Sequence, residues 1–154
     1  MRTKTVFGFA ILGCVPIVAM GNSALYPTEK VTEFVIEKLD LTSLPAEFRP
    51  QKEKGKKTFA DYGFTSQKLE ESNAVLQKTG SDTRLSVKIL EQKPSGIFVC
   101  VSETEQPGGA PETQRVLFVK RKSANDLLKG RESFREFTGC PAIGEDEASE
   151  YSGG

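Results

Sequence analysis

The sequence contains no histidine and no tryptophan. Without an imidazole there is no Ser/His/Asp or Cys/His catalytic centre, no HExxH zinc helix and none of the usual histidine-containing transition-metal sites. No SxxK motif or nucleophile elbow stands in for it. Charge of one sign is not in excess either. Among 154 residues, 21 basic side chains balance 21 acidic ones, so no long-range field steers the chain onto nucleic acid or an anionic membrane, and no nucleic-acid partner is expected. Long apolar runs are nearly absent. The one candidate, Val6 to Met20, is interrupted by Pro16 and falls short of the roughly 20 residues a spanning helix needs, so no permanent membrane span is expected. Hydrophobic residues at 37% and charged residues at 27% describe a globular chain of one domain's length rather than a disordered or fibrous one.

That apolar run has a different use. Arg2 and Lys4 precede it and the small, polar Gly21-Asn22-Ser23-Ala24 follows it, which is the three-part layout of a secretory signal peptide. The sequence therefore predicts a signal peptide over 1–24, cleaved near Ala24 with Gly21 as the competing site, and a secreted or periplasmic location. Ile11-Leu12-Gly13-Cys14 is similar to the bacterial lipobox, which makes lipidation at Cys14 the alternative. Leu12 at the middle position and the apolar Val15 to Met20 fit such a site badly, so Cys14 is read as part of the discarded segment.

Two cysteines remain, Cys100 and Cys140, with no CxxC spacing and no histidine to complete a metal site. In an oxidising compartment they are expected to pair. A cross-link closing about 40 residues restricts the unfolded chain by roughly 4 kcal/mol in the chain-entropy account.

The C-terminal half carries the clearer pattern. Leu85, Val87 and Ile89 alternate with Arg84, Ser86 and Lys88, as in a half-buried strand. Ile97 to Ser102 is a continuous apolar, β-rich run bounded by turns, as in a strand covered on both faces. Arg115 to Val119 follows a Gly- and Pro-rich loop. Ser123 and Asp126 read as helix-start signals, Leu127, Leu128, Phe134 and Phe137 as an apolar helical face, and Gly139 and Pro141 as the stop. The sequence thus predicts an α+β fold: a small antiparallel meander over 84–91, 97–103 and 114–120, packed against a C-terminal helix over 123–138, stapled by Cys100–Cys140. One globular domain spans 25–144, and the carboxylate-rich 145–154 is expected to be a disordered acidic tail. Toward the N-terminus the patterns are open. Val31, Phe34, Val35 and Leu39 suit a helical face, although an alternating strand fits nearly as well, and 65–78 reads as either helix or strand.

Candidate chemistry is sparse. Asp61, inside the aromatic stretch Thr58 to Phe64, is the one carboxylate whose surroundings would raise its pKa if buried. No second acid is fixed beside it by spacing. Glu145, Asp146 and Glu147 lack the ligand spacing of an EF-hand loop, so no metal and no cofactor is expected. The lysine cluster at 52–57 and the run Lys120, Arg121, Lys122 read as solvated charge or as a meeting point for phosphate or an acidic partner. The loops at 51–57 and 105–113, on a disulfide-stiffened scaffold, suit binding, with Phe59, Tyr62 and Phe64 as an aromatic strip and Lys54, Lys56, Gly108 and Gly109 in the flanking loops.

The expectation for function is an exported, non-enzymatic binding protein, envelope-associated or of inhibitor or immunity type, whose partner is another protein or an envelope polymer. The alternatives are a carboxylate-dependent extracytoplasmic hydrolase centred on Asp61, and a structural component of a cell-surface assembly.

Overall fold

The structure, a computed structural model, describes residues 25–105 and 109–141. The expected signal peptide over 1–24, Cys14, Gly108 and the expected acidic tail over 145–154 lie outside those residues. Its frame is a seven-stranded sheet: β1 (Leu39–Asp40), β2 (Phe64–Leu69), β3 (Asn73–Lys78), β4 (Arg84–Lys93), β5 (Gly96–Thr104), β6 (Thr113–Lys120) and β7 (Leu128–Glu132). The spatial order is β1-β7-β6-β5-β4-β3-β2. Each pair is antiparallel except β1 with β7, whose parallel register sets Leu39 beside Leu128 and Asp40 beside Lys129. The sheet curls into a half-barrel, and α1 (Val31–Lys38) is the one α-helix among the described residues.

This corrects the expected α+β fold. The three meander strands are there, but as the middle of a larger mixed sheet, and no helix forms over 123–138. The helix-start signals close a single turn instead. Asp126 accepts a hydrogen bond from the Ser123 amide at 3.0 Å and returns one from its own amide to the Ser123 carbonyl at 3.2 Å. From there the period is two: Leu128 and Gly130 are buried while Lys129 and Arg131 are exposed, which is a strand's alternation. Pairing that strand with β6, at Val119–Gly130 and Lys120–Lys129, satisfies backbone groups that would otherwise form a bare edge. Gly130, a weak point for a helix, is what the strand requires. A Cβ there would lie 2.7 Å from a methyl carbon of Leu44.

The concave face is the main core. Leu76, Leu85, Val87, Ile97, Val99 and Val101 meet Val35 of α1 and the irregular stretch that follows it, through Leu41, Leu44, Phe48, Phe59 and Tyr62. Thr32 on α1 is buried and its hydroxyl donates to the Glu71 carbonyl at 2.6 Å, pinning the helix to the β2–β3 turn. The stretch over 65–78 is an antiparallel hairpin rather than a helix.

The convex face is covered differently. Cys100 and Val116 point outward from β5 and β6, and a second, smaller cluster joins them to Cys140, with Leu90, Phe98 and Phe137 alongside. The Cys100–Cys140 disulfide is present, with Cα atoms 5.8 Å apart. It fastens an irregular segment, 133–141, to the sheet, not the end of a helix.

Candidate functional site

Asp61 sits on the exposed turn between Thr58 and Gly63. Its carboxylate accepts hydrogen bonds from the backbone amides of Thr58 at 2.8 Å and Lys57 at 3.0 Å, and its own amide donates to the Thr58 hydroxyl at 3.3 Å. The Thr58 amide, then the Lys57 amide, hold the carboxyl below its ordinary value. A general acid at neutral pH needs the opposite displacement. The residue caps a turn.

The aromatic strip also turns inward. Phe59 is 1% exposed and Tyr62 4% exposed, and Phe64, half-buried, meets Phe59 edge-on with ring centroids 5.5 Å apart. Closing the turn over 58–63 swings these rings onto the concave core, so Phe59 and Tyr62 supply packing instead of a contact strip. Lys54 stays exposed, while Lys56 pairs with Glu53 at 2.6 Å and lies 5.8 Å from the Tyr62 ring centre. Gly109 is exposed.

Two other places gather functional chemistry. The first is on the convex face. Phe98 packs between Phe118 and Phe137, with centroids 4.8 and 5.4 Å away. The Arg135 guanidinium lies 5.1 Å from the Phe98 centroid and 4.8 Å from that of Phe137, held there by an ion pair with Glu91. Arg131 lies 5.7 Å from Phe118. Next to this stacked arginine and aromatic layer, Phe134 is 92% exposed. It rims a concavity of about 610 Å³ whose floor includes the disulfide's Cys140. Sequence reading placed Phe134 and Phe137 on a helical face, and that period hid the cluster.

The second is a cleft of about 710 Å³ at the β1–β7–β6 corner. It brings Lys57 from the first lysine cluster together with Lys120, Arg121 and Lys122 from the second, and adds Lys129. The link is topological: the Leu41 amide, just past β1, donates to the Lys57 carbonyl at 2.8 Å.

No model of a protein family, no curated protein and no solved structure matches this chain. Among the described residues no group of acidic or cysteine side chains is arranged to hold a metal ion, and no helix is long and apolar enough to cross a membrane.

Proposed function

We propose that this chain is an exported, non-enzymatic binding protein that contacts another macromolecule through the convex face of its sheet, with Phe134 at the centre of the contact. The observation that carries the reading is Phe134 itself, 92% exposed beside a layer of stacked phenylalanines and arginines. A lone exposed aromatic means little. One set among arginine side chains that lie against aromatic rings has the composition of an interface centre, where Phe, Tyr, Trp and Arg are enriched and lysine is depleted. That composition favours a protein partner. Burying the Phe134 ring would contribute about 2 kcal/mol from apolar area alone. The segment that presents it is fixed by the disulfide, so little ordering is left to oppose binding.

The capped, low-pKa state of Asp61 supports binding over hydrolysis. The disulfide is in keeping with an oxidising compartment. The test compares two baits in their oxidised form, the wild-type protein and the double variant Phe134→Ser/Arg131→Glu. A partner held by the first and lost by the second, at an unchanged melting temperature, is the expected result. Equal retention by both baits defeats the convex-face reading. A glycan- or peptide-cleaving turnover abolished by Asp61→Asn, with stability intact, defeats the non-enzymatic one.

A further inference from the structure

The cleft at the sheet corner is independent of that contact. Its cations come from three separate stretches of chain: Lys57 from the turn before β2, Lys120, Arg121 and Lys122 from the end of β6, and Lys129 from β7. Two carboxylates share the lining, and both are engaged. Asp40, fully buried, is ion-paired with Lys129 and accepts from the Thr42 hydroxyl at 2.6 Å and amide at 3.0 Å. Asp126 accepts from the Ser123 amide. Five cations thus surround two carboxylates already committed to structure.

The sheet register sharpens this. Lys120 and Lys129 are directly opposite on neighbouring strands, an arrangement in which like charges repel and destabilise the pair. Asp40, opposite Lys129 on its other side, compensates one of the two. A bound anion would relieve what remains. The donors also define which anion. Arg121, the group best shaped for a planar carboxylate, is occupied: it donates to the carbonyls of Leu25 and Ala124, and its guanidinium lies 4.7 Å from the Phe34 ring centre. With Lys129 paired to Asp40, the donors left to a ligand are the ammoniums of Lys57, Lys120 and Lys122 and the Asn125 amide. Lysines act as mobile point charges, which suits a multiply charged tetrahedral oxyanion better than a bidentate carboxylate. At neutral pH a phosphate monoester carries between one and two negative charges and three acceptor oxygens.

We infer that the cleft bounded by Lys57, Lys120, Lys122 and Lys129 binds a phosphate-bearing ligand. The oxidised, full-length protein, labelled with nitrogen-15, is titrated with tripolyphosphate at constant ionic strength, with sodium chloride as the control. A parallel arm measures cosedimentation with phosphatidylglycerol vesicles. Saturable amide shifts confined to residues 120–129 and to Lys57 are expected. The double variant Lys120→Gln/Lys122→Gln should bind about tenfold more weakly while melting at the wild-type temperature. Binding to tripolyphosphate alone assigns a free phosphate compound, and binding to vesicles as well assigns a lipid headgroup. Shifts that grow linearly without saturating, that chloride reproduces, or that the double variant leaves unchanged would overturn the assignment.

Discussion

The two faces of the sheet are closed by different means. On the concave face a continuous set of aliphatic and aromatic side chains, from Val35 through Leu44 and Phe59 to Leu128, is removed from water almost completely. On the convex face the buried set shrinks to Cys100, Val116 and Cys140, and the rings around it stay partly exposed. The segment that covers this face, 133–141, has little apolar surface of its own beyond Phe134 and Phe137, and Phe134 points away. A covalent bond stands where the other face has a core. Burial therefore fixes the architecture from the inside, and the disulfide fixes the cover of the outer surface.

The contrast is broken most directly by truncating one ring on each side. Phe59→Ala empties a fully enclosed site on the concave face and should cost about 4 kcal/mol, whereas Phe98→Ala, on a half-exposed ring, should cost about half as much. Urea titrations of the two variants measure the gap, and equal losses would mean that the convex cluster is a second true core. Replacing both cysteines, Cys100→Ala/Cys140→Ala, should cost about 4 kcal/mol and lower the melting temperature by roughly 15 °C. Amide exchange gives the sharper readout. Protection should fall in 133–141 and persist in β4, β5 and β6, because only the outer cover is released.

The same contrast explains what could be read from the chain. Strands β4 to β6 were legible because their burial alternates within a few residues, or fills both faces over Ile97 to Ser102. The cysteine pair was legible by count. The edge strands were not. β2 is exposed along most of its length and carries no burial signal, and β1 is two residues long, defined by a parallel partner 89 positions away. The lysine cleft was invisible for a similar reason, since each run reads as solvated charge until β1 and β7 bring them to one corner. The stretch 123–138 misled because cap residues and an approximate helical spacing coincided with a genuine strand at Leu128–Glu132.

Gly130 separates the two readings of that stretch by sign. In a helix, Gly130→Ala would stabilise the protein by about 1 kcal/mol. In the strand seen here the new methyl group meets Leu44, which is fully buried and must shift, so the variant should be destabilised by about 2 kcal/mol. Chemical denaturation decides between a gain and a loss.

The smallest expected effect concerns the buried end of the sheet corner. Burial pushes the Asp40 carboxyl up, but the Lys129 ammonium and the hydroxyl and amide of Thr42 together outweigh it and hold the group below its ordinary value. A carboxyl lowered on folding contributes stability at pH above its unfolded value of about 4, and that contribution is lost as the pH falls through the lower folded value. Asp40→Asn keeps the shape and removes the charge. It should therefore cost about 1 kcal/mol at pH 7, and the difference from wild type should shrink as the pH is lowered past 4. Glu103 works in the opposite direction. Burial, then the neighbouring Glu112 and Glu105, raise its carboxyl, so its ionised form is a liability at neutral pH that acid relieves, and Glu103→Gln should be neutral to slightly stabilising at pH 7. Melting curves of the two variants between pH 3 and pH 7 should accordingly diverge from wild type in opposite senses as the pH rises. Parallel curves for Asp40→Asn and wild type across that range would mean that the corner is held by packing around Leu39 and Leu128 rather than by the ion pair.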